Sequence, residues 1–216
     1  MLTLGVPTYR RYDLLGQLIG SAMAGSLRPD RYVIVDNGGK LGRPDWMPEC
    51  AEILVPGHNI GVGPAWNVII QTSEDMLVIC GDDIDLAPNT LAEMVRVAEE
   101  RDADFVYPFP NFPNAQMFSC FLFRKRLVEK VGLFDESFYP AYFEDNDYYR
   151  RMELAGVQQL TAPCAYGHIN SGTLKTFSPS EMQEHHQRFD ALRAHYIRKW
   201  GGPPHAEKYD VPFNDK

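Results

Sequence analysis

The chain predicts an α/β/α sandwich on a mainly parallel central sheet, a Rossmann-like arrangement, and three observations carry that expectation. Short apolar runs alternate with segments of helical periodicity five times between residues 2 and 107. Three unusual loops, at 36–39, 57–63 and 81–85, each follow one of those runs, so they converge on the sheet edge where such folds bind ligands. The 216 residues are 44% hydrophobic, enough to bury one proper core.

Each element has its own signal. Leu2-Thr3-Leu4-Gly5-Val6 is an apolar strand closed by Pro7-Thr8. Leu14, Leu15, Leu18, Ile19, Ala22 and Met23 recur at helical spacing until Gly25. Residues 32–35, rich in β-branched side chains, form a buried strand that ends at Asp36-Asn37-Gly38-Gly39, and residues 53–55 form another. Pro64 opens a helix as a first-turn proline after the glycine-rich loop. Residues 76–80 are a strand, 88–101 a helix with Leu91, Met94, Val95 and Ala98 on one face, and 105–107 a strand.

The second half is less regular. Residues 108–113 read as a loop, 119–123 as a strand, and 124–131 as a helix stopped by Gly132. An acidic helix opens near Phe143 and ends at Gly156, followed by a short strand over 158–161. Residues 166–176 are polar and glycine-punctuated, and predict a mobile loop. Ser178-Pro179-Ser180-Glu181 is a capping box that opens a long helix running to Trp200, with Gly201-Gly202 as its stop. The tail from Pro203 reads as extended.

The formal charge is −8 with no Lys/Arg block, which argues against a nucleic-acid phosphate surface. Cys50, Cys80, Cys120 and Cys164 show no C-x-x-C spacing, and three of them sit in or beside apolar runs; buried, reduced thiols are the favoured reading. A strand from Leu2 leaves no room for a signal peptide, and no apolar run approaches the ~20 residues of a membrane span. A reducing, cytoplasmic location is the expectation.

Chemistry concentrates in two acidic knots. Gly81-Asp82-Asp83-Ile84-Asp85 leaves a wholly apolar strand, a place where clustered carboxylates are either solvated or hold a divalent cation. Glu144, Asp145 and Asp147 open a helix, whose unpaired N–H groups and positive dipole end fix an anion as a general base requires. Phe138, Tyr139, Tyr142, Phe143, Tyr148 and Tyr149 surround them, and an aromatic wall beside carboxylates suits a sugar ring. A metal knot followed by a base knot is the layout of a sugar-transfer enzyme. Asp36 can accept bonds from a base or a ribose, or can simply shape an Asn-Gly turn. The 57–63 loop fits no phosphate-loop pattern; its strength is Asn59 together with Asn67. The pair His185-His186 reads as surface.

Taken together, these residues resemble a family-2 glycosyltransferase of the GT-A fold, over roughly residues 2 to 200. The matching pieces are Val6-Pro7-Thr8-Tyr9-Arg10, Val33-Ile34-Val35-Asp36-Asn37-Gly38, Asn59-Ile60-Gly61-Val62-Gly63 with Asn67, Gly81-Asp82-Asp83-Ile84, Gly132-Leu133-Phe134-Asp135 and Tyr142-Phe143-Glu144-Asp145-Asn146-Asp147. The resemblance implies one domain over 1–202, with a donor-binding half to about 107, a catalytic half from 108, and a tail over 203–216. It implies a nucleotide-sugar donor held by Pro7, Thr8, Tyr9, Arg10, Asp36, Asn37, Asn59, Gly61, Asn67 and Asp82. Asp83 would hold Mn²⁺ or Mg²⁺ on the diphosphate, with His168 and, as a weaker ligand, Asp85. Asp145 would be the base of an inverting transfer and Glu144 would steer the acceptor.

Gly81 stands where many members carry the first acid of the metal motif, so fewer protein ligands are expected. The alternatives are a sugar nucleotidyltransferase, against which Pro7-Thr8-Tyr9 argues, and an inactive nucleotide-sugar-binding module, against which Asp145 argues.

Overall fold

The computed structural model describes residues 1–109, 117–169 and 172–214. The part of the expected 108–113 loop from residue 110 onward lies outside them, as do Asn170 and Ser171. The central sheet has seven strands: β1 (Leu2–Thr8), β2 (Arg31–Asp36), β3 (Ala51–Leu54), β4 (Met76–Cys80), β6 (Phe105–Pro108), β7 (Cys120–Arg124) and β8 (Gln159–Ala162). Their order is β3-β2-β1-β4-β7-β6-β8. Pairs β3/β2, β2/β1, β1/β4 and β6/β8 are parallel, and β7 runs antiparallel to both of its neighbours. The strand order reverses at β1, where it meets β2 on one side and β4 on the other, and the crevice there is where open α/β sheets take ligands.

Helices cover both faces. On one side α1 (Tyr12–Ala24) and α3 (Thr90–Glu100) pack Leu15, Leu18, Ile19, Leu91 and Met94 against Leu4, Val6, Ile34 and Val78. On the other, α2 (Val62–Thr72), α4 (Leu127–Val131) and α5 (Glu144–Leu154) cover Val33, Val35, Leu77 and Ile79. A cluster of Trp66, Phe118, Phe121, Phe134 and Tyr148 fills this second layer, with Phe134 and Tyr148 stacked 4.1 Å apart. Gly5 permits the close approach of α2, since a Cβ there would lie 2.2 Å from Ile69 Cγ2.

The segment read as a mobile loop instead contributes strand β9 (Tyr166–His168), which pairs antiparallel with β5 (Ile84–Leu86) in a separate small sheet. Its register sets Ile84 opposite His168 and Asp85 opposite Gly167. A helical turn over Leu174–Thr176 follows.

The long helix α6 (Pro179–Trp200) has the capping box at its start and Gly201 in the left-handed conformation at its end. Phe138 and Phe143 pack against its Leu192, Tyr196 and Trp200. A buried ionic cluster pins its last turn: Lys199 Nζ lies 2.6 Å from both Asp135 Oδ2 and Asp147 Oδ1. Trp200 Nε1 donates to Asp147 Oδ1 at 2.9 Å, and Arg151 Nε donates to Oδ2 at 2.9 Å. The tail does not extend away. The N–H groups of Lys208 and Tyr209 return to the Trp200 carbonyl, that of Phe213 to Lys199, and Arg150 donates to the Tyr209 carbonyl.

Candidate active site

The carboxyl ends of β1, β2 and β4 open onto one cleft. At the end of β1, Thr8 donates to Asp82 Oδ2 at 2.7 Å, joining the two central loops. Burial pushes the Asp82 carboxyl up to about 7 against the pull of that hydroxyl, and the Asp83 charge adds to the rise. Asp83 is held the other way. Burial opposes its ionisation, but His168 and the Gly172 N–H outweigh it and keep its pKa low. The His168 Nε2 to Asp83 Oδ1 separation is 3.3 Å, and Gly172 N donates to Oδ2 at 3.1 Å.

The β2 loop and the glycine-rich loop are tied together. Asn37 accepts from the Ile60 N–H and donates to the Gly61 carbonyl, each at 3.2 Å. Asn59 accepts from the Gly61 N–H at 2.9 Å. Gly61 sits at φ 90°, and a Cβ there would fall 2.7 Å from the Pro140 carbonyl oxygen. Only glycine serves at that position.

A cavity of about 480 Å³ fills the cleft. Of the sequence candidates, Pro7, Thr8, Tyr9, Asn37, Asn59, Gly61, Asp82 and Asp83 line it. Others do something else. Asp36 is spent on its own turn: Oδ1 accepts from Tyr12 and from the Gly38 and Gly39 N–H groups, and Oδ2 from Leu41. Of its two open readings, the turn is the one this geometry fills. Asn67 is corrected to a structural role; its amide donates to the Phe134 carbonyl and Glu136 and accepts from the Phe134 N–H, away from the cleft. Arg10 stacks over Tyr9 and bonds Glu181 at 2.8 Å, bridging β1's loop to α6 rather than lining the cavity. Asp85 is corrected as a metal ligand, because strand alternation turns it to solvent between buried Ile84 and Leu86.

Among the described residues no three His, Cys, Asp or Glu side chains converge as a metal cage. Asp83 and His168 do face each other. A carboxylate and an imidazole fit a divalent cation that takes its remaining ligands from substrate oxygens and water.

A second cavity of about 330 Å³ adjoins the first and shares Val62, Trp66, Phe118 and Tyr142 with it. Its floor is the start of α5. Tyr142 and Phe143 both take positive φ, 85° and 69°, uncommon for aromatic residues. Packing holds them there: Tyr142 meets His185 and Phe189, and Phe143 meets Phe189 and Tyr196. This turn delivers Glu144 and Asp145 into the cavity. Burial pushes Glu144 well up, with the Asp145 charge adding to it, and burial also raises Asp145 against bonds from neighbouring backbone N–H groups. One of those bonds is Asn146 N to Asp145 Oδ1 at 2.8 Å. Asp147, in contrast, is consumed by Lys199, Trp200 and Arg151.

Sequence reasoning missed one wall. Glu181, Glu184, His185 and Arg188 of α6 line the larger cavity, with Phe177 before them. His185 is therefore not simply surface. Its ring meets Tyr142 and Phe177 edge-on, and only the i, i+3, i+4 repeat of Glu181, Glu184, His185 and Arg188 hinted at a shared face.

The profile of the family described as "Glycosyl transferase family 2" matches residues 3–151. Over 57 residues the chain is 38% identical to a galactofuranosyl glycosyltransferase of Leishmania donovani, a match spanning 26% of this chain and 13% of that protein. Among solved structures, the mannosyltransferase PcManGT from Pyrobaculum calidifontis, in complex with GDP-Man and Mn²⁺, superposes with TM-score 0.66 at 17% identity, covering 94% of this chain and 66% of that one. S. aureus TarS 1-349 in complex with UDP gives 0.61 at 14% identity, covering 88% and 64%. The chain thus spans less than two thirds of the length of each of these relatives. The structural likeness establishes the GT-A fold. The profile match runs from β1 through most of α5 and takes in both acidic knots, and on that match the chain belongs to glycosyl transferase family 2.

Proposed function

We propose that the chain transfers one sugar from a nucleoside-diphosphate sugar to an acceptor hydroxyl, with inversion at the anomeric carbon. The carrying observation is the pair of adjoining cavities, one bounded by Asp82 and Asp83 and the other by Glu144 and Asp145, with four residues in common. A donor spanning both would set its diphosphate at the first and its sugar toward the second. Support for the donor class comes also from the GDP-Man and UDP bound by the structural neighbours.

Thr8, Tyr9, Asn37 and Asn59 hold the nucleoside, with Asp36 acting through its turn. Asp83 and His168 would hold Mn²⁺ or Mg²⁺, which supplies positive charge against the diphosphate as it departs. Asp145 accepts the proton of the acceptor hydroxyl, and its raised basicity suits it to that task. The oxygen then bonds to the anomeric carbon opposite the breaking bond to the diphosphate. Glu144, whose charge burial disfavours, lies beside it and positions the acceptor. In this reading residues 1–107 are the donor half of one domain over 1–202 and 108–202 its catalytic half. No helix among the described residues is long and apolar enough to cross a membrane. The four free cysteines support a reducing, cytoplasmic setting.

The test is release of nucleoside diphosphate from a panel of nucleotide sugars with Mn²⁺. Steady release, or hydrolysis where the acceptor is missing, is the expected result. Release of pyrophosphate would turn the reading to a nucleotidyltransferase, and tight binding with no release to a binding module.

A further inference from the structure

Two buried polar atoms, on residues that line the second cavity, have no partner. Glu144 Oε2 and Trp66 Nε1 are both wholly removed from solvent, on residues 5% and 6% exposed, and neither makes a hydrogen bond. Most buried polar groups are satisfied, and an orphan calls for an explanation. Here the two residues that carry the orphans line the same cavity, from different elements: Trp66 from the middle of α2 and Glu144 from the first turn of α5. One is an obligate donor, the other a carboxyl oxygen. The remaining wall is apolar and aromatic: Val62, Phe118, Tyr142 and Phe189.

A hydroxyl is the small group that accepts from an indole N–H and binds a carboxyl oxygen at once. A sugar ring offers such hydroxyls beside C–H faces that pack on aromatic rings. We infer that Trp66 and Glu144 form a hydroxyl-reading subsite that selects the sugar ring placed at the second cavity. Trp66 is then a specificity-determining residue, discriminating against sugars that lack the hydroxyl it meets, because an unmet buried donor penalises the analogue. The inference rests on the reading of the larger cavity as a nucleotide-sugar site. It leaves the hydroxyl to come either from the donor sugar or from the acceptor.

Two variants separate the outcomes. Trp66→Phe keeps a ring against Phe118, Phe121 and Phe134 while deleting the N–H. Glu144→Leu removes the carboxyl at similar volume. Calorimetry with Mn²⁺ would measure UDP, GDP and their hexose conjugates, and ligand-observed NMR would measure binding of methyl glycosides of the common hexoses. If the hydroxyl belongs to the donor, both variants weaken the nucleotide sugar about 10-fold or more and leave the bare diphosphate unchanged. If it belongs to the acceptor, both lose the methyl glycosides and hold the nucleotide sugar.

Unchanged binding of both probe classes in folded Trp66→Phe overturns the subsite. So does a parent protein that gains nothing from the sugar over the bare diphosphate and binds no glycoside. If the parent binds no nucleotide at all, the donor reading falls, and the glycoside measurement still decides the subsite.

Discussion

Asp145 and Asp83 line adjoining cavities with opposite protonic character. Asp145 is pushed up by burial, and its acceptor oxygen is aimed by the Asn146 N–H. Asp145→Asn keeps the shape but cannot take a proton. Turnover is expected to fall ~10²–10⁴-fold, with nucleotide-sugar affinity little changed because in the proposed reading the diphosphate would lie at the other knot. Near-parental transfer in the mutant would move the base to Glu144, since Asp147 is fully occupied. The raised Asp145 also fixes a pH dependence: kcat/KM should decline on the acid side at a pH above the ordinary ~3.9 of an aspartate. Asp83→Ala should leave the fold intact and abolish the Mn²⁺-dependent part of nucleotide-sugar binding. Equal calorimetric affinity with and without Mn²⁺ in the parent would remove the metal role.

Among the elements, α6 joins the cleft to the first turn of α5. Its first turns face the cavity through Glu181, Glu184, His185 and Arg188, and its last turn is clamped by Lys199 between Asp135 and Asp147. Lys199→Met should cost about 3 kcal/mol, because half-buried Asp135 loses its cation and buried Asp147 is left with Arg151 alone; chemical denaturation measures it, and a loss under 1 kcal/mol would show the clamp to be dispensable. The first turns should respond to ligand. Hydrogen exchange across residues 172–185 is expected to slow on adding nucleoside diphosphate with Mn²⁺, and identical exchange would count against closure of this segment.

Much of this element's structure was legible. Ser178 and Glu181 announce its start, and Gly201 its end, because capping is local chemistry. Its place in the cleft was not, because His185 packs on Tyr142, which is distant along the chain. Asn67 failed for the same reason, its partners lying at Phe134 and Glu136. The acidic knots were readable since strand β4 and helix α5 present them directly. Strands β5 and β9 were not, since three residues carry too little alternation to register.

Over the whole molecule, the cleft destabilises the fold near neutral pH. Asp82, Glu144 and Asp145 all have raised folded-state values. A carboxyl raised on folding favours the native state below its unfolded value, and that contribution is lost as pH rises through the folded value. For Asp82 the window runs from about 4 up to about 7. Asp82→Asn should therefore be more stable than the parent at pH 8, with the advantage shrinking by pH 5. Comparing the two proteins cancels His185 and His195, whose lowered values act in the opposite sense. An advantage independent of pH would contradict the burial of Asp82. Asp135 works the other way. Burial resists its charge, but Lys199 and Ser137 hold it down at about 2, so its contribution is present above about 4 and disappears as pH falls toward 2.

The small β5–β9 sheet has a consequence for how the protein is made. Its register closes Ile84 against His168, and the Gly172 N–H reaches back to Asp83, 89 residues earlier. These are contacts of high sequence separation, whose closure costs more chain entropy than local pairing. During synthesis the central strands β1, β2 and β4 can pair while β5 still waits for its partner, leaving a strand edge bare beside three carboxylates. Those like charges repel a second nascent chain at that edge, a safeguard of the kind natural sheets use against mispairing. Because His168 follows Asp83 in the chain, a nascent chain that ends before β9 carries the acidic knot without the imidazole that faces it.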